Sequence, residues 1–375
     1  MRDIFVVADN ILSPLGSTTK ENFEHLKNAV SGIQKHTNGA MNPDPFFASL
    51  ISEEAIPVFV EKFTRFERMV MASLENAIKN GAVDPIDPKT IFILSSTKGN
   101  ISLLESEPLT PALENRISLH QSGRMIRDHF KTAHETVIVS HACISGLLAI
   151  IAGMRIRQSG RFEKAVIVGA DMISKFVLSG FQSFQAISAE PCKPFDAARN
   201  GITLGEGAAT IILSTNHKNS EPIRIRGGSV SNDANHISGP SRTGEELSQA
   251  IQRALKEAGV SGKEIDFISA HGTATLYNDE MESKAINLIG LQDIPVNSLK
   301  GYYGHTLGAS GLIEAIVSIQ SLQENIFLPT LGFTKQGTSL PIAVSNQFQK
   351  GNYKKCLKTA SGFGGCNAAV VISKD

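Results

Sequence analysis

A cysteine stands where a strand gives way to a helix. The run ETVIVS reads as a buried strand, and His141-Ala142-Cys143 follows it. Leu147, Leu148, Ile150 and Ile151 then take the spacing of an apolar helix face. A thiol at such a junction lies beside unpaired backbone N–H groups and the positive end of a helix dipole. Both favour the thiolate, and the local N–H groups can face a developing oxyanion. Cysteine is also a common small core residue, and this stretch alone leaves both readings open.

Two histidines occupy comparable places further on. IDFISAHGTAT is a strand ending on His271, with the hydroxyls of Thr273 and Thr275 available to a polar ligand. Ligands of α/β sheets gather at the C-terminal ends of parallel strands, although a histidine there can equally cap local backbone. A helix is predicted to begin after Asn278, with Asp279 and Glu282 in or near its first turn. In VNSLKGYYGHTLGASGLIEAI, Lys300 and His305 bracket a glycine-rich turn, and Glu314 lies in the helix that follows. Ala309, Gly311, Ala315 and Ser318 would let that helix pack closely. A lysine and a glutamate that must both be buried usually pair, since an isolated buried charge is expensive. The alternative is a solvated turn with a surface lysine.

KTASGFGGCNAAVVIS reads as strand, turn and strand, with Gly362, Gly364 and Gly365 permitting positive φ and close backbone approach. It is a plain hairpin or a loop whose N–H groups face a ligand. It lacks the length and the following helix of a phosphate loop, which argues against nucleotide binding.

Short Val- and Ile-rich runs recur from IFVVA at the start to NAAVVIS at the end, bounded by Gly, Asn, Asp or Ser. Amphipathic helical stretches lie between several of them. One runs from about Phe66 to Lys79. Another starts at Glu245, with Thr243 and Glu246 as a capping box and Gly259 as its stop. Strands alternating with helices predict an α/β fold with largely parallel, buried sheets. The polar stretch at 214–222 suggests a division into residues 1–215 and 216–375, each half carrying a similar strand–helix series. An internal duplication is suspected from the order of elements alone.

Composition narrows the function classes. Lys plus Arg and Asp plus Glu number 36 each, so no net basic field points to nucleic acid. Cys143, Cys192, Cys356 and Cys366 match no CxxC metal or redox spacing and read as free thiols in a reducing, cytoplasmic compartment. The N-terminal residues lack the apolar core of a signal peptide, and the apolar runs are too short or too charged to span a bilayer.

The order of the motifs is more specific than any one of them. Cys143, then PCKPFDAARNGITLGEGAA, then HGTAT, then KGYYGHTLGASG, then GFGGCN resembles the elongating β-ketoacyl-acyl-carrier-protein synthases, the Cys-His-His ketosynthases of the thiolase superfamily. The resemblance covers nearly the whole chain and is clearest from about residue 137. Chain-initiating relatives use a Cys-His-Asn set, whereas the GHT here supplies a second histidine. Thiolases place a second catalytic cysteine in a C-terminal glycine-rich motif, and GFGG does not match that motif although Cys366 lies beside it.

The resemblance implies a thiolase-like α/β fold of two similar halves in five layers, α-β-α-β-α, usually as a dimer. It implies that Cys143 carries the acyl chain and that His271 and His305 stabilise the enolate formed as malonyl carrier protein loses CO₂. Lys300 and Glu314 match the family's charged pair, and Cys143 and Phe363 its oxyanion-hole N–H groups. Thr273 and Thr275 match the threonines that hold the phosphopantetheine arm. Phe363 also matches a gate on the acyl pocket, beside Gly364, and Asp279 and Glu282 match structural acids. No metal or cofactor is expected, because the carrier protein brings the phosphopantetheine. The implied partners are that carrier protein and a second subunit, identical or related.

Several positions depart from the family pattern. Ile144 follows the nucleophile where a small residue is usual, and either reshapes the acyl channel or merely packs. Asn278 stands where glycine is common, Gly301 and Tyr302 alter the turn before His305, and Cys366 replaces a threonine. The chain is also short for the family, with the shortening between about residues 36 and 135. Two rivals remain: a non-catalytic chain-length-factor-like subunit, which characteristically lacks the cysteine, and an acyltransferase or thioesterase that stops before condensation.

Overall fold

The computed structural model describes residues 3–37, 39, 41–217, 220–234 and 239–375. Its main sheet has ten described strands: β1 (Phe5–Leu12), β2 (Thr90–Ser95), β3 (Val137–Val139), β4 (Lys164–Asp171), β5 (Gly207–Ser214), β6 (Ile223–Asn232), β7 (Phe267–Ser269), β8 (Val296–Asn297), β9 (Lys355–Gly362) and β10 (Cys366–Lys374). They lie in the order β8-β7-β9-β10-β6-β1-β5-β4-β2-β3.

That order repeats itself. β1 pairs antiparallel with β5, β5 antiparallel with β4, and β4-β2-β3 run parallel. In the second series β6 pairs antiparallel with β10, β10 antiparallel with β9, and β9-β7-β8 run parallel. Adding five to each label converts one series into the other. Among the described residues the two series pair edge to edge through Phe5↔Arg224 and Val6↔Ile223.

Alternation along the strands sorts side chains into layers. Phe92, Leu94, Val166 and Val168 face helix α1 (Arg65–Gly81), through its Phe66, Met69, Val70 and Leu74. Their neighbours Ile91, Ile93 and Ile167 face inward, to α2 (Ser145–Gln158). On the second series Leu357, Ala369 and Val371 face α3 (Glu245–Ala258) and α4 (Leu276–Leu288), while Ala360, Ala368, Val370 and Ile372 face α5 (Ser310–Glu324). The result is a thiolase-like stack: α1, first series, α2 with α5, second series, α3 with α4. Both inner faces and the two central helices share one apolar cluster.

α1 and α3 start within a residue of the sequence reading, while the cap of α3 and the start of α4 differ from it. α1 begins at Arg65 because Thr64 and Glu67 form a capping box. α3 has Gly244 at its N-cap, in the left-handed region, and not Thr243 with Glu246. A Cβ on Gly244 would lie 2.7 Å from the Ala285 nitrogen and the Met281 carbonyl, so packing on α4 sets that start. α4 begins at Leu276, ahead of Asn278, with Thr275 as its N-cap residue.

Candidate active site

The nucleophile is placed by a sharp turn. Ala142 takes a φ of 45°, a conformation L-residues rarely adopt. The Ser145 hydroxyl steadies the turn, accepting the His141 N–H at 2.7 Å and donating to the Ala142 carbonyl at 2.7 Å. The chain then enters α2 at Ser145, with Cys143 and Ile144 buried just before it. Glycines let the surroundings close in. A Cβ on Gly362 would sit 2.9 Å from the Cys143 nitrogen, and one on Gly146 would sit 2.8 Å from the Gly308 carbonyl and the Leu312 nitrogen. α2 and α5 therefore meet backbone to backbone, which draws the Cys143 turn toward the segment carrying His305.

The three reactive side chains converge. The Cys143 sulfur and one ring nitrogen each of His271 and His305 lie within 4.8 Å of one another, all buried. The two imidazoles cross edge to face with centroids 5.1 Å apart. Their other ring nitrogens are occupied. Leu307 donates its backbone N–H to His305 Nδ1 at 3.2 Å, and the Lys300 ammonium stands 3.4 Å from His271 Nδ1. Each Nδ1 is thus the acceptor, and each neutral ring keeps its proton on Nε2. The pair offers N–H donors where a metal would need lone pairs.

Burial and the nearby Lys300 charge hold both histidines neutral. They push His305 down to about 3 and His271 well below the ordinary histidine range. Burial also raises the Cys143 thiol to about 11, against the pull of Lys300, the Phe363 N–H and Lys98. This corrects the expectation that the helix start would favour a thiolate: desolvation wins, and the resting sulfur is a thiol.

Lys300 and Glu314 form the buried ion pair expected of them, and Lys300 also donates to the His271 carbonyl at 2.9 Å. Burial raises and the two neighbouring lysines lower the Glu314 carboxyl, with a net shift downward. Glu282 accepts from the N–H groups of His271 at 2.8 Å and Gly272 at 2.6 Å, while Asp279 accepts from Thr273 at 2.9 Å and Phe195 at 2.7 Å. Both acids therefore support the loop. Asn278, unusual at its position, donates to Glu282 at 2.9 Å.

The remaining residues surround this centre. Thr273 and Thr275 join hydroxyls at 2.9 Å beside His271. The Phe363 N–H faces the Cys143 sulfur, and its half-exposed ring lies 5.7 Å from that of Phe181 and 5.4 Å from that of Phe184. Gly364 has a φ of 85°, which the tight turn between β9 and β10 requires, and open space where a Cβ would stand. Ile144 is packed in the central cluster.

Sequence reading missed two residues. Asp171, at the end of β4, accepts from Ser96, Thr97, the Lys98 N–H and, at 2.7 Å, the Gly308 N–H, tying the end of β2 to the His305 segment. Lys358, in the middle of β9, is fully buried with its ammonium 2.6 Å from Glu314. Its sequence signal was weak, because the strand KCLKTASG also holds Lys355, Thr359 and Ser361.

Comparison with known proteins agrees with this geometry. A model described as Beta-ketoacyl synthase, N-terminal domain, matches residues 1–219, and one described as Beta-ketoacyl synthase, C-terminal domain, matches residues 223–334. The chain belongs to the beta-ketoacyl synthase family. It is 27% identical over 412 residues to 3-oxoacyl-acyl-carrier-protein synthase 2 of Staphylococcus aureus, covering 99% of this chain and 98% of that one. It is 25% identical to a putative mitochondrial 3-oxoacyl-acyl-carrier-protein synthase of Schizosaccharomyces pombe, covering 100% and 99%. Among solved structures it resembles the Xenorhabdus doucetiae ketosynthase ApeO, in complex with its chain length factor ApeC, with a TM-score of 0.90, 26% identity, and 100% and 98% covered. A Burkholderia phymatum beta-ketoacyl synthase shares the fold, with a TM-score of 0.90 and 22% identity over the full length of both chains. No described helix of this beta-ketoacyl synthase is long and apolar enough to cross a membrane.

Proposed function

We propose that this beta-ketoacyl synthase joins an acyl chain on Cys143 to malonyl carrier protein by decarboxylative Claisen condensation. The observation that carries the reading is the meeting of one sulfur and two Nε2–H donors in a single buried centre. In the first half-reaction the Cys143 sulfur attacks the acyl thioester, and the carrier thiol leaves with the proton that Cys143 loses. The N–H groups of Cys143 and Phe363 hold the oxyanion.

In the second half-reaction the malonyl C–CO₂ bond breaks and its electron pair becomes an enolate. His271 and His305 stabilise that enolate by donating from Nε2, since neither can take up a second proton near neutrality. The carbanion attacks the acyl-Cys143 carbonyl, the sulfur leaves as a thiolate that takes a proton from water, and the product is two carbons longer. Lys300 and Glu314 orient His271 and set the local charge.

Thr273 and Thr275 would hold the phosphopantetheine arm, Phe363 would gate the acyl pocket at Gly364, and Ile144 would shape its wall. The carrier protein is the partner this chemistry requires. The ketosynthase ApeO is in complex with a chain length factor, which favours pairing of this chain with an identical or related subunit. We take residues 1–215 and 216–375 as the two halves, and the buried free thiols support a cytoplasmic setting.

The presence of Cys143 and both histidines weighs against a chain-length-factor role. Mass spectrometry tests the reading. Acyl carrier protein should load an acyl group onto Cys143, and malonyl carrier protein should then release the extended product. Loading of Cys143→Ala, or loading followed only by hydrolysis, would overturn it.

A further inference from the structure

Lys358 has a place that the family's charged pair does not explain. It lies opposite Ser269 in the parallel β9–β7 pairing, and its side chain points to the inner face, toward α5. Its ammonium donates to the carbonyls of Ser269 at 3.0 Å and Ala270 at 3.2 Å, and pairs with Glu314 Oε2 at 2.6 Å. Lys300 takes the other Glu314 oxygen and the carbonyl of the next residue, His271. One carboxylate is thus shared by two fully buried lysines, and three consecutive carbonyls leading into His271 are gripped from below.

Two ammonium groups and one carboxylate leave a surplus positive charge. The groups facing Lys358 are Lys300, Glu314, Glu282, His271, His305 and Cys356. Glu282 is the only other acid among them; its charge acts on Lys358, whereas the charged side chains acting on the two imidazoles are Lys300, Lys358 and, on His305, Glu314. Burial works against the charge on Lys358, and Glu314 works for it. Such a cluster is costly, because burying ions without full compensation destabilises a fold, and its presence beside the site points to a use. The use is adjacent. A positive surplus beneath two imidazoles disfavours their protonation and favours the anion that forms in front of them.

We propose that Lys358 is a positioning residue for decarboxylation: by sharing Glu314 with Lys300 it leaves a net positive charge behind His271 and His305, which keeps both rings as neutral Nε2–H donors and stabilises the enolate. This rests on the condensing function proposed above and adds the source of its electrostatics.

The test separates charge from scaffold. Lys358→Gln keeps a donor for the Ser269 and Ala270 carbonyls but loses the charge; Lys358→Arg keeps the charge. Malonyl carrier protein decarboxylation and Cys143 acylation are measured in each across pH. Lys358→Gln should lower decarboxylation about tenfold, by more than it lowers acylation. The acid limb of its pH profile should also move up by about one unit. Lys358→Arg should retain the parental limb. If Lys358→Gln does not fold, Lys358→Met is measured in its place. Equal loss of both half-reactions with an unmoved acid limb, or a Lys358→Gln enzyme that behaves as the parent, would overturn the proposal. A parent that never releases CO₂ would refute the condensing reading instead.

Discussion

Lys300 holds His271 at two points, donating to its carbonyl at 2.9 Å and standing 3.4 Å from its Nδ1. The first contact fixes the backbone and the second fixes the tautomer, so one ammonium decides which edge of the ring faces the sulfur. Replacing it by methionine, of similar length, removes both. Lys300→Met should lower CO₂ release from malonyl carrier protein by about 10- to 100-fold while acylation of Cys143 stays measurable, which a radiolabelled carboxyl would follow.

The Cys143 thiol should report its burial directly. Its pKa is raised to about 11, so the thiolate fraction climbs throughout the accessible range. Alkylation by iodoacetamide should accelerate about tenfold per pH unit between pH 7 and 9 and show no plateau there. A plateau near pH 7 would mean that the helix start outweighs desolvation.

Fold stability should decline on the acid side because of the histidines. His305 is depressed to about 3 and His271 lies well below the ordinary value. Below about pH 6.5 the unfolded chain binds protons that the folded one refuses, so stability falls as pH falls, until the folded pKa is passed. Each histidine contributes a slope of up to about 1.4 kcal/mol per pH unit. Urea unfolding at several pH values between 4 and 7 should show this slope, and His305→Asn should reduce it.

Close approach of the central helices gives a mechanical prediction. The Cβ of Gly146→Ala would stand 2.8 Å from the Gly308 carbonyl and the Leu312 nitrogen. The helices must part, at a cost of about 1–3 kcal/mol, and the Cys143 turn moves with α2. Thermal unfolding should detect the loss, and acylation should fall although no reactive group has changed.

What could be read in advance follows from distance along the chain. The strand runs, the α3 stop at Gly259 and the pairing of Lys300 with Glu314 rest on local pattern or on the cost of a buried charge, and all are present. The cap of α3 escaped because α4, distant in sequence, packs against Gly244. The state of the Cys143 sulfur escaped because burial is a property of the whole assembly. Asp171 and Lys358 escaped for the same reason: their partners, at Gly308 and Glu314, lie in other segments.

The twice-written strand order has a consequence for how this catalyst can be divided. A fragment ending after Ser214 would keep the thiol with nothing to polarise a malonyl group, and one starting at Ile223 would keep the imidazoles with nowhere to anchor a growing chain. The architecture is a doublet, but the chemistry is single and exists only at the seam. Mixing separately produced fragments should therefore restore activity only to the extent that the central helices find each other.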